Sequence, residues 1–217
     1  MNWHQTMERA FSELKSKGAA AAEPYLRQAL DLAGDHTEYR AMSMFNLALV
    51  CYDQKRPKET EALFAQSIEL IQELLPKQNE LYGMFLKTMI EFYEKENRYA
   101  DSKKYYLLEI EHTRNMFGSR HPYVANMICE YADVLIKTND YAEAEKNLTM
   151  ALDIMSGAKG QDHLQNGPIH AKLALCYEAL GRQHDAEFHG ARASALQARK
   201  PKGKEADDQT TVEQQMD

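Results

Sequence analysis

Eight histidines, three cysteines and 33 carboxylates are the residues of this chain that could ligate a metal, attack a carbonyl or move a proton. Their spacing argues against each use. His184 and His189 are five residues apart, which on a helix turns them roughly 140° away from each other and denies them a common metal. Cys51, Cys129 and Cys176 are widely separated and form no CxxC pair, so they read as neither a zinc site nor a redox couple. Cys51 and Cys176 fall at helix-packing positions and are expected to act as small buried hydrophobes. Glu143 and Glu145 are two residues apart and diverge on a helix, so they are not an acid/base couple. His121 stands before Pro122 and reads as a cap or linker residue. The chain has no GxxxxGK[ST] loop, GxGxxG turn, HExxH helix or GxSxG elbow. The expectation is a protein that is not an enzyme, with no catalytic residues, no metal and no cofactor.

The elements holding these residues are helices. Of 217 residues, 44% are apolar and 27% charged, with only 10 glycines and 6 prolines. Alanine, leucine, methionine, glutamate and lysine dominate, and these favour helix. The fold class is therefore all-α. A net charge of −7, with no basic cluster before the last twenty residues, argues against a nucleic-acid partner. The start, Met1 to Leu14, is broken by Glu8, Arg9 and Glu13 and does not read as a signal peptide. No stretch approaches the ~18 apolar residues of a membrane span. With an odd number of dispersed cysteines, the expected setting is the reducing cytoplasm.

Self-similarity organises the helices. A small residue followed four positions later by a large one recurs as Ala22/Leu26, Thr60/Phe64, Ser102/Tyr106 and Ala144/Leu148, and more weakly as Ala186/Gly190. The small residues of these pairs are separated by 38, 42, 42 and 42 positions. Twelve residues earlier stand Ala10, Ala48, Ile90, Ala132 and Ala174, and seven later Ala29, Ser67, Glu109, Ala151 and Ala193. Small residues at a crossing let two antiparallel helices approach, and large ones fill the groove beside them. One such hairpin cannot bury its own apolar faces, so neighbours must stack on it. Gly118 reads as a helix C-cap, Pro57 and Pro122 as helix starts, Asp140 with Glu143 as a capping pattern, and Gly181 as a turn.

The stretch Phe117-Gly118-Ser119-Arg120-His121-Pro122-Tyr123-Val124-Ala125, then Tyr131-Ala132, then Asp140-Tyr141-Ala142-Glu143-Ala144-Glu145, resembles the tetratricopeptide repeat (TPR) in the long 42-residue form of kinesin light chains. The resemblance implies a right-handed superhelix, an α-solenoid of about five helical hairpins spanning residues 1–199. The hairpins are expected at about 3–34, 38–75, 79–117, 121–156 and 167–199. It also implies that the first (A) helix of each hairpin lines a concave groove where a peptide or helix of a partner protein binds, as in an adaptor or scaffold. The groove positions lie eighteen, fifteen, fourteen and eleven residues before each packing residue. They are Met42, Phe45, Asn46 and Leu49; Met84, Lys87, Thr88 and Glu91; Asn126, Cys129, Glu130 and Asp133; and Pro168, Ala171, Lys172 and Leu175. The early half is apolar and methionine-rich, which suits varied partners, and the later half is more acidic. A clamp on a terminal carboxylate is excluded, because Asn46 lacks a second asparagine and Glu130 would repel the anion.

Rival readings are a sensor of a short signalling peptide and a self-assembling structural protein. Trp3, Met7 and Phe11 share one helical face. They either pack on Leu26 and Leu30 or form a patch joining two copies into a homodimer through the N-terminal hairpin. After Arg199 the apolar period ends, and residues 200–217 read as a disordered polar tail.

Overall fold

The computed structural model describes residues 1–74 and 80–199; the tail expected over 200–217 lies outside the described residues. Within them the chain is helical, with no strand. The ten helices are α1 (Trp3–Lys17), α2 (Ala19–Ala33), α3 (Thr37–Asp53), α4 (Pro57–Leu74), α5 (Glu80–Lys95), α6 (Tyr99–Phe117), α7 (Pro122–Lys137), α8 (Tyr141–Lys159), α9 (Asn166–Ala179) and α10 (Gln183–Ala198). They form five hairpins, with the odd-numbered member of each as its A helix. The chain divides into two compact units, Met1–Gly118 with three hairpins and Ser119–Asp217 with two.

The residues that define the period are the ones that close the hairpins. Ala22, Thr60, Ser102 and Ala144 are fully buried, and Ala186 is 3% exposed. Thr60 and Ser102 are tolerated in place of alanine because their hydroxyls turn back on their own helices. Thr60 Oγ1 donates to the Arg56 carbonyl at 2.9 Å, and Ser102 Oγ to the Tyr99 carbonyl at 2.9 Å. The large partners Leu26, Phe64, Tyr106 and Leu148 are buried beside them.

The turn inside a hairpin has its own period. Lys55, Asn97, Asn139 and Gly181 stand 42 residues apart, and all four have positive φ, at 62°, 57°, 61° and 72°. After each, a backbone N–H reaches back five residues: Arg56 to Cys51, Arg98 to Tyr93, Asp140 to Leu135 and Arg182 to Tyr177, at 2.8 to 2.9 Å. This left-handed residue with its long return bond is the Schellman ending, which reverses the chain within three residues. Pro57 opens α4 as expected, and His121 caps α7 by accepting from the Tyr123 N–H at 3.2 Å. The Asp140–Glu143 capping pattern is not made: Asp140 is the residue before α8, but its side chain does not cap the helix. α8 also runs on to Lys159, past the expected hairpin end at about 156.

Two hairpin junctions share a clasp. In unit 1, Arg98 pairs with Glu61 of α4 at 2.7 Å and lies over the Tyr93 ring at 4.8 Å, while Tyr93 donates to Glu61 at 2.8 Å. In unit 2, Arg182 pairs with Glu145 of α8 at 2.8 Å and lies over Tyr177 at 4.4 Å. The first junction carries a variant, with Arg56 on Glu23 of α2 at 2.9 Å and on the Cys51 sulfur at 3.0 Å. Each clasp joins a turn to the second helix of the preceding hairpin.

Candidate partner-binding face

In unit 1 the A helices lie side by side through aromatic contacts. The Trp3 ring of α1 stacks on Tyr39 of α3 at 4.1 Å, and its Nε1 donates to Ser43 Oγ at 2.9 Å. Phe45 of α3 stacks on Phe85 of α5 at 3.8 Å and tilts against Phe64 at 5.2 Å. Phe45 is therefore core, 3% exposed, and is corrected from its expected place on the groove. Four residues further along α3, Leu49 is 40% exposed, and Met84 on α5 is 48% exposed.

Phe11 also belongs to this surface, although it is not among the groove positions expected from sequence. Phe11 stands eleven residues before Ala22, the position that Leu49 occupies before Thr60, and it is 45% exposed. The period already contained this signal; treating the first hairpin apart from the others concealed it. Trp3 and Met7 do not accompany Phe11, being 8% and 4% exposed in the core of the first hairpin. A patch of all three is thus not available to join two copies.

The polar positions of unit 1 are mostly committed within the chain. Asn46 donates to the Met42 carbonyl at 2.8 Å, and Thr88 to the Met84 carbonyl at 3.0 Å. Lys87 lies 3.9 Å from Glu109, and Glu91 lies 3.6 Å from Lys95. Met42 is half-buried. What remains on the A-helix face is an apolar series, Phe11, Leu49 and Met84, bordered by charge.

The corresponding positions of unit 2 are polar. Lys172 of α9 donates to Asp133 of α7 at 2.7 Å and to the Cys129 carbonyl at 3.4 Å, tying the two A helices together. Asn126 and Glu130 are exposed, as is Leu175 at 45%. Burial pushes the Cys129 thiol up to about 11, so it stays protonated and unreactive. Pro168 and Ala171 face a cleft of about 290 Å³, whose other walls are Leu164, Gly167, Ala193, Leu196 and Gln197. The cleft lies between the start of α9 and the end of α10.

Among the described residues no group of three or more histidines, cysteines or carboxylates could hold a metal ion, and no helix is long and apolar enough to cross a membrane. His184 is exposed, whereas His189 pairs with His170 instead. No motif or spacing in the sequence marks His170.

No curated protein matches this sequence. Solved structures share its fold. A Podosopora anserina kinesin light chain with nearly identical TPR-like repeats superposes with a TM-score of 0.64 at 17% identity, over 92% of this chain and 97% of that one. BtubC (BKLC) from P. vanneervenii gives 0.60 at 17% identity, over 94% and 84%. YrrB, a TPR protein with an unusual peptide-binding site, gives 0.56 at 12% identity, over 90% and 86%. The tetratricopeptide repeat model matches residues 83–156 and again 123–199, together more than half the chain. With the 42-residue period, the small-residue crossings and the repeated turns, this places the chain in the tetratricopeptide repeat family.

Proposed function

We propose that this protein is a binding module of the cytoplasm, an adaptor that holds a peptide or helix of a partner protein against its A helices. The carrying observation is the apolar series Phe11, Leu49 and Met84. These three residues are 40–48% exposed on helices whose other large apolar side chains are mostly buried. Large apolar side chains gathered on one face of a folded domain mark interaction surfaces. Methionine and leucine adapt to partners of varied shape. The family's common use in protein interaction supports the reading, and so does the peptide-binding site of YrrB, which shares the fold.

The test uses a photo-crosslinking amino acid at position 49 and, for comparison, at position 107 on the second helix of the third hairpin, where Leu107 is 54% exposed. Crosslinking in native lysate is expected to join a partner segment to position 49 and not to position 107. The double variant Leu49→Glu, Met84→Glu is expected to lose that partner while melting at the wild-type temperature. A partner that crosslinks equally at both positions, or survives the double variant, would sink the proposal.

A further inference from the structure

The last hairpin closes on two histidines. His170 of α9 is 6% exposed, and its Nδ1 lies 2.8 Å from Nδ1 of His189 on α10. The two ring centroids are 5.0 Å apart, with Tyr177 at 5.3 Å and Phe188 at 5.2 Å from the His189 ring. Two imidazole nitrogens at this distance share one proton, one ring donating and the other accepting. A first added proton is compatible with that bond, because an imidazolium can donate to a neutral ring. A second is not: it aims two N–H groups and two positive charges at each other across the same gap.

The charged groups facing the pair offer little relief. Glu145 of α8 is engaged by Arg182 at 2.8 Å, and Asp185 of α10 by the same guanidinium at 2.8 Å. Arg192 of α10 adds positive charge nearby and is held by Asp162 at 2.9 Å. Tyr177 of α9 supplies an uncharged ring. Burial lowers the pKa of both histidines. For His189 the two carboxylates offset part of this, whereas His189 and Arg192 push His170 further, to about 4.

We propose that the His170–His189 pair is an acid-operated latch, in which a second proton on the pair separates α10 from α9 and loosens α9, the helix that carries Lys172 and Leu175 on the A-helix face of unit 2. Both residues ride on α9, and Lys172 is the link to Asp133 of α7. The closed hairpin holds its histidines neutral below the pH at which an opened one would charge them. The opened form therefore binds more protons as pH falls from about 6.5, and the closed form loses ground by up to about tenfold per pH unit for each extra proton. The loss of partner binding in acid rests on the groove reading; the opening itself does not.

The experiment is amide hydrogen exchange on the full chain at about pH 7 and about pH 5, corrected for intrinsic rate. Protection of α9–α10 peptides is expected to fall at least tenfold relative to α7–α8 peptides in the wild type. It is expected to hold in His189→Asn, whose amide can bond His170 in either protonation state. Equal loss in both proteins, or no loss in the wild type, overturns the latch. Should His189→Asn fail to fold, imidazole nitrogen resonances of the wild type decide. Two rings titrating independently near the free value overturn the proposal, whereas a second protonation coincident with loss of hairpin protection supports it. No partner enters this measurement, so failure of the latch and failure of the groove are told apart.

Discussion

Phe45 and Leu49 stand one helical turn apart on α3, and their difference separates stability from recognition. Phe45 is sandwiched by Phe85 and Phe64, so Phe45→Ala is expected to cost about 3–5 kcal/mol in denaturant unfolding. Leu49→Ala should change stability by under about 0.5 kcal/mol while weakening partner capture. The period put both residues on the groove side of the helix, which was legible from one repeat. Which of the two a neighbour covers depends on Phe85, contributed by the next hairpin, and that was not. The histidines follow the same logic. Spacing sets His184 apart from His189, but a contact 19 residues away in sequence, between His170 and His189, lies beyond local periodicity. Of the three cysteines, Cys51 and Cys176 are buried as expected and Cys129 is half-buried. Thiol reagents at neutral pH should therefore label the native protein slowly at every one, and rapidly only after denaturation.

At the scale of helices and turns, the hairpin crossings were readable because alanine, serine and threonine are the residues that fit there. The turns were readable only at Gly181, since Lys55, Asn97 and Asn139 carry no glycine to announce a left-handed backbone. Asparagine accepts that conformation with little cost, whereas lysine pays for its Cβ. Lys55→Gly is therefore expected to stabilise the second hairpin by about 1 kcal/mol, seen as a raised denaturation midpoint. Gly83 runs the opposite way. A Cβ there would lie 2.6 Å from Nε2 of His112, so Gly83→Ala should destabilise by about 1–3 kcal/mol through displacement of that ring. The clasps that join successive hairpins were not legible, because Arg98 and Glu61, like Arg182 and Glu145, stand 37 residues apart in sequence. Tyr93 and Tyr177 serve both core and clasp, with rings packed inward and guanidinium groups laid over them.

For the molecule as a whole, the family was legible from residue 117 onward, where the pattern is densest, and the family model also begins earlier, at residue 83. The first two hairpins lie outside that match. Both keep the buried packing positions, and the second also keeps the left-handed turn, at Lys55. Repeat proteins are stabilised by terms within a hairpin and between neighbours, and the chain divides at Gly118 into two units with their own internal packing. Residues 1–118 and 119–199 made separately are expected each to give a helical circular dichroism spectrum with a cooperative melt. A fragment that stays unfolded would show that its unit depends on the other.

The stacking of Trp3 on Tyr39, with its indole nitrogen bound to Ser43, has an optical consequence. It is the chain's single tryptophan, so selectively excited emission comes from the first hairpin alone. Blue-shifted light should persist while α1 stays seated on α3, and the colour should move to the red when that contact opens. Acid acting on α9 and α10 should leave the spectrum unchanged, which makes a built-in lamp at one end of the chain a control for events at the other.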